Sequence, residues 1–124
     1  MNAKIAYTAH STPKKILSNF DLEKLVNTSD AWIRSRTGIK QRYIVEDGEA
    51  SSDISTKIAK ELLIKSKISA DEIDLIIVGT VTPDHYTPST AALVQKNIKA
   101  NNAWGFDLSA ACSGYIFGLE TGSN

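Results

Sequence analysis

The stretch Trp104-Gly-Phe-Asp-Leu-Ser-Ala-Ala-Cys112-Ser-Gly-Tyr-Ile-Phe-Gly-Leu119 decides how the chain is read. Its first part, residues 103–108, is an apolar run of strand character. A cluster of small residues follows and holds Cys112, the single cysteine of the protein. Tyr115, Ile116 and Leu119 then recur at helical spacing. The order is strand, sharp turn, cysteine, helix. The positive end of a helix dipole favours a thiolate over a thiol, and the thiolate is the nucleophile. Ala110, Ala111, Ser113 and Gly114 leave little bulk around the sulfur, so a substrate carbonyl has room to approach. Backbone N–H groups of such a turn are placed to face the oxyanion that forms. The alternative is a small buried hydrophobe, the commonest fate of a lone cysteine. No histidine close in sequence offers itself as its base.

Upstream, Leu75-Ile-Ile-Val78 is apolar on both faces, as a strand in the middle of a helix-covered sheet must be. A long loop, residues 79–88, separates it from a helix capped by Ser89 and carrying Ala91, Ala92, Val94 and Ile98. Strands alternating with helices give an α/β fold with a mixed, mainly parallel sheet covered by helices. Ligands of such sheets bind beyond the carboxyl ends of the strands. The 79–88 loop and the Cys112 turn both lie at such ends and are expected to share one site.

The first half is built from shorter pieces. Residues 4–9 (Lys-Ile-Ala-Tyr-Thr-Ala) are β-prone and end at Ser11-Thr-Pro13. Ser18-Asn19 follows Ile16-Leu17 and caps a short helix over residues 21–26. Asn27-Thr-Ser-Asp30 opens a second helix that runs to Thr37, with Gly38 as its stop. Residues 39–45 read as a strand with Ile39, Gln41, Tyr43 and Val45 on one face, and residues 46–49 as a turn. Ser51-Ser-Asp53 caps a longer helix with a stripe of Ile54, Ile58, Ala59 and Leu62. Ser69-Ala-Asp-Glu72 is a capping box.

Composition narrows the function classes. The 124 residues are 42% hydrophobic and 23% charged, ordinary values for a globular domain. Fourteen basic and fourteen acidic residues cancel, so no overall charge draws the chain to nucleic acid or to an anionic membrane. One cysteine forms no internal disulfide, and no apolar run approaches a membrane span. The expected setting is the cytoplasm. No group of residues has the spacing of a metal site.

Trp32 and Arg36 are four apart on the second helix and share a face. An exposed Trp beside an Arg sandwiches a planar ring, and Arg34, Lys40 and Arg42 nearby supply positive charge for phosphates. The alternative is a core Trp ringed by solvated arginines. His85, beside Asp84 in the long loop, reads as an exposed loop histidine.

At this point several blocks together carry a resemblance. Thr28-Ser-Asp-Ala-Trp-Ile-Arg-Ser-Arg-Thr-Gly-Ile39 resembles the signature near the start of β-ketoacyl-ACP synthase III, a condensing enzyme of the thiolase superfamily. Asp74-Leu-Ile-Ile-Val-Gly-Thr80, Pro88-Ser-Thr-Ala91 and Phe106-Asp-Leu-Ser-Ala-Ala-Cys-Ser-Gly114 are similar to its next blocks, in order and in spacing. The resemblance implies the N-terminal half of a thiolase-like αβαβα fold, one domain over residues 1–124. It implies that Cys112 is acylated, and that Trp32 and Arg36 pack around the adenine end of coenzyme A with Thr28 close by. It implies acyl-CoA as a substrate rather than a resident cofactor, malonyl-acyl carrier protein as the second substrate, and a homodimer with residues 84–118 at or near its interface. Decarboxylation of the malonyl group would generate the carbanion that attacks the acyl-Cys112 thioester, beginning a round of type II fatty-acid synthesis.

Two departures qualify the resemblance. Members of the family are longer, and their catalytic His and Asn and a Gly-rich oxyanion segment lie in a second half. Neither His10 nor His85 matches the motif of that His. The chain therefore resembles an N-terminal portion, expected not to decarboxylate malonyl groups by itself and to expose an unpaired sheet edge and apolar faces. Well-known members also carry a bulky aromatic where this sequence has Thr87, which implies an acyl pocket roomier than one for acetyl. The alternatives are a related acyl transferase or secondary-metabolite condensing enzyme, and a non-catalytic dimerisation domain.

Overall fold

A computed structural model describes residues 3–124, which divide into two compact units. One comprises residues 12–49, and the other residues 50–124 together with the N-terminal residues up to Ser11.

The smaller unit is built on strand β1 (Lys15–Ser18) and strand β2 (Gln41–Ile44), which pair antiparallel with Ile16 opposite Tyr43. Between them lie helices α1 (Asn19–Glu23) and α2 (Asp30–Thr37). Ser18 caps α1 through a capping box with Asp21, as its position suggested. The helix starts two residues before the expected Asp21. It ends in a turn where Leu25 and Val26 both donate to the Leu22 carbonyl, rather than running to Val26. Helix α2 keeps its expected bounds. Ser29 accepts from the Trp32 N–H at its start, and Gly38 ends it at φ 72°, a conformation that glycine adopts without strain. Ile33 is its buried anchor.

In the larger unit, α3 (Ser51–Ser66) leads through a 3₁₀ turn (Ala70–Glu72) into β3 (Leu75–Gly79). Helix α4 (Thr90–Ile98) follows, then β4 (Trp104–Leu108), a 3₁₀ turn (Ala111–Ser113) and α5 (Gly114–Ser123). Helix α3 begins one residue earlier than expected, because Ala50 takes the cap position and donates its N–H to Asp53 at 2.9 Å. Strands β3 and β4 pair parallel, with Leu75 opposite Trp104 and Gly79 opposite Leu108. Side chains alternate between the faces of a strand. A Cβ at Gly105 would point at Ala91 of α4, whereas Ile77 meets Gly118 and Gly122 of α5. The two helices therefore cover opposite faces, as the doubly apolar β3 required.

Gly105 is fixed by this packing. A Cβ there would stand 2.5 Å from the Ile76 carbonyl oxygen and 3.3 Å from the Ala91 methyl. On the other face, the end of β3 and the start of α5 approach at two glycines, and a Cβ on Gly79 would lie 3.3 Å from the Gly114 carbonyl carbon.

Residues 4–9 form no strand. A strand exists only where a neighbour accepts its ladder, and no ladder among the described residues includes this segment. Ala6 and Tyr7 line a cavity with Leu62, Leu63, Ile73 and Val94, and the Thr8 carbonyl accepts from Lys65 at 3.2 Å. Around α5, Tyr115, Ile116, Phe117 and Leu119 are all exposed. No helix of the described residues is long and apolar enough to cross a membrane.

Candidate functional site

The nucleophile candidate stands at the carboxyl end of β4. Leu108 accepts the Thr80 N–H at 3.1 Å, so the chain leaves β3 and β4 side by side. The 80–88 loop and the Cys112 turn thus start from one edge of the sheet, as expected. Cys112 is exposed among the described residues. It does not lie in the first turn of α5, as the sequence suggested, but in the 3₁₀ turn that leads into that helix. The turn is tight because Ala111 adopts φ 45°, the left-handed region that L residues rarely enter. Ser113 donates to Ala110, and Gly114 to Ala111. Those two amides close the turn and are not open to an oxyanion. Neither bond uses the Cys112 amide.

Asp107 secures this end of the sheet. Its carboxylate accepts the Thr90 N–H at 2.7 Å and the Ala91 N–H at 2.8 Å, capping α4 from β4. Thr90 itself is fully buried. The 80–88 loop is held at its other side by α3. Asp84 accepts the Ser52 N–H, and Ser51 donates to the Thr82 carbonyl, both at 2.9 Å. Asp84 therefore serves as a cap rather than as a partner of His85. His85 and Thr87 are exposed on this loop, and the Thr87–Pro88 bond is cis. Below the Cys112 turn, Gly79, Gly114, Tyr115 and Leu119 line a cavity of about 220 Å³.

The second candidate site belongs to the smaller unit. Trp32 is 57% exposed, and the Arg36 guanidinium lies over its ring, 5.8 Å from the centroid. Trp32 is thus no part of the core of the smaller unit. Asn27, Thr28, Ser29 and Trp32 line an open pocket of about 330 Å³. Thr28 and Trp32 thus share one pocket, with Arg36 stacked beside it. Two of the three cations expected to hold phosphates are engaged elsewhere. Arg34 binds Asp30 at 2.9 Å, and Arg42 donates to the Leu17 carbonyl and to Asn19. Lys40 is exposed.

Neither Asp107 nor Asn19 was singled out from sequence as a site residue. The only signal for Asp107 was a carboxylate inside an apolar strand, which demands a partner. Asn19 was legible only as part of a cap.

The chain is 58% identical over 124 residues to β-ketoacyl-[acyl-carrier-protein] synthase III of Chlorobaculum tepidum, covering 99% of this chain and 38% of that protein. The solved 3-oxoacyl-[acyl-carrier-protein] synthase III of Aquifex aeolicus superposes with a TM-score of 0.88 at 50% identity, covering 93% of this chain and 37% of that one. This chain matches the N-terminal portion of β-ketoacyl-ACP synthase III. Its fold is a partial thiolase-like α/β fold. The priming β-ketosynthase of the R1128 polyketide pathway also superposes, with a TM-score of 0.84 at 32% identity over 90% of this chain and 33% of that one. No family model matches. The chain spans little more than a third of the length of the synthase III proteins it matches.

Proposed function

We propose that this chain carries the nucleophile and the coenzyme A contact of a β-ketoacyl-ACP synthase III acyltransferase. The observation that carries the reading is the 58% identity to a synthase III over nearly the whole chain, with Cys112 exposed on a tight turn at the carboxyl end of parallel strands.

In the acylation step the Cys112 thiolate attacks the carbonyl carbon of an acyl-CoA thioester. The carbonyl electrons move onto oxygen, where a backbone N–H of the turn stabilises them. The Cys112 amide suits that role, because the Ser113 and Gly114 amides are spent inside the turn. Collapse of the intermediate breaks the bond to the coenzyme A sulfur. Coenzyme A leaves as a thiolate and takes up a proton, while the acyl group stays on Cys112. Splitting one transfer into two through such an intermediate is the purpose of a covalent nucleophile. The exposed Trp32 with Arg36 over its ring suits the adenine of coenzyme A, and Thr28 lines the same pocket. Thr87 bounds the acyl site from the loop that leaves β3. Malonyl-acyl carrier protein is the second substrate, and the product is a β-ketoacyl carrier protein. The protein works as a cytoplasmic homodimer.

Likeness to a polyketide priming ketosynthase favours one second reading, the same acyl transfer serving a secondary-metabolite condensation. Assays with malonyl groups on fatty-acid and polyketide carrier proteins separate the two.

The test is protection of the thiol. Incubation with acyl-CoA should block alkylation of Cys112 by iodoacetamide, and hydroxylamine, which cleaves thioesters, should restore it. Alkylation at an unchanged rate in saturating acyl-CoA would contradict the proposal.

A further inference from the structure

The strongest feature outside the two candidate sites is a polar network centred on Asn19. Its side chain is 1% exposed. Its amide nitrogen donates to Asp30 Oδ1 at 2.9 Å and to the Ile39 carbonyl at 2.8 Å. Its amide oxygen accepts from Arg42 Nη2 at 2.7 Å. Both protons of the amide are therefore used, and its oxygen holds a cation. Asn19 also donates its backbone N–H to the Lys40 carbonyl at 3.2 Å.

The bonds reach both ends of α2. Asp30 is the first residue of that helix, and Ile39 follows its Gly38 stop. Asp30 is bound from two further sides, by Arg34 Nε at 2.9 Å and, through its own N–H, by Glu23 at 2.6 Å. One buried amide thus ties together the two ends of α2. Thr28 lies just before that helix, and Trp32 and Arg36 lie on it.

We infer that Asn19 is a positioning residue for the coenzyme A contact, holding α2 so that Trp32 and Arg36 present their stacked face. This rests on the proposed role of that face. Ile33 is the sole buried apolar anchor of α2, and an eight-residue helix on one apolar anchor has freedom to rotate or slide. A buried amide satisfied on every side permits one arrangement, because any shift leaves a donor or acceptor unpaired in a low-dielectric setting. Binding of a planar ring against such a face gains from this preorganisation.

The experiment is calorimetric titration with coenzyme A, with pantetheine, which lacks the nucleotide, as the control ligand. Trp32→Ala should weaken coenzyme A binding and leave pantetheine unchanged. Asn19→Asp sets a carboxylate against Asp30 and removes both donors. It should weaken coenzyme A binding by about tenfold, the scale of one lost hydrogen bond to a charged group. Adding Asp30→Asn to it reverses the polarity of the 19–30 pair and restores a donor, so affinity should recover in part. Asp30→Ala, at a position that is not fully buried, tests the same bond should Asn19→Asp fail to fold. Loss of affinity in Trp32→Ala with neither Asn19→Asp nor Asp30→Ala affecting it would overturn the positioning role alone. Coenzyme A binding indifferent to Trp32→Ala would overturn the role of the Trp32 face, and the positioning role with it.

Discussion

Asp107 on β4 accepts the backbone N–H of Thr90 at 2.7 Å, tying the strand that leads to Cys112 to the helix that follows the 80–88 loop. The second carboxylate oxygen takes the Ala91 N–H. Asp107→Ala strips α4 of both bonds at its positive end and should destabilise the protein by about 1–3 kcal/mol. Asp107→Asn keeps one acceptor and should lose less. Urea unfolding measures both, and an alanine variant within about 0.5 kcal/mol of the parent, the range of an ordinary surface substitution, would contradict the cap.

Gly105 offers a harder steric test. Its missing Cβ would lie 2.5 Å from the Ile76 carbonyl oxygen, a backbone atom that cannot swing aside. Gly105→Ala should cost about 1–3 kcal/mol by overpacking β3 against β4. The same change at Gly118, where a Cβ meets only Ile77 at 3.8 Å, should be far milder. Equal thermal shifts in the two variants would show that the strands have room to spare.

Acid should weaken the start of α1. Hydrogen bonds from the Ser18 hydroxyl and then the Ser18 N–H, with Lys24 beside them, lower the Asp21 pKa from 3.8 to about 2. A carboxylate depressed in the folded state adds stability that is fully present above its unfolded pKa. That stability is lost as pH falls from about 4 towards 2. Ser18→Ala removes the largest cause and should raise the Asp21 pKa towards 3.8, as carboxyl NMR titration would register. An unmoved titration in that variant would dissociate the cap from the shift.

These residues also show what the sequence made legible. Local signals carried well. Ser18, Ser29, Ser69 and Ser89 each cap as expected, and Gly38 ends α2, because a cap depends on neighbours within a few positions. The apolar run of β3 and the strand–turn–helix around Cys112 were equally plain. Relations set by tertiary structure were hidden. Ile16-Leu17 is too short to read as a strand, and β1 exists through pairing with residues 23 or more positions away. Residues 4–9 had strand composition but no ladder. The exposure of Trp32 follows from how α2 lies, which spacing alone does not fix. Asp107 and Asn19 act across 11 to 23 positions, beyond any motif.

Thr87 should govern the length of the acyl group. On the proposed function, a threonine here leaves more room than an aromatic side chain. Longer acyl-CoAs should therefore compete well with acetyl-CoA for Cys112, and Thr87→Phe should shift the preference towards acetyl. Competition between acyl-CoAs of graded length reads this out. Strict acetyl preference, unchanged in Thr87→Phe, would remove Thr87 from the pocket.

Acylation of Cys112 is a covalent event, and intact-mass spectrometry after incubation with an acyl-CoA reads it out. The mass should rise by one acyl group, a gain absent in Cys112→Ala and lost on treatment with hydroxylamine. No gain, or an equal gain in Cys112→Ala, would contradict it.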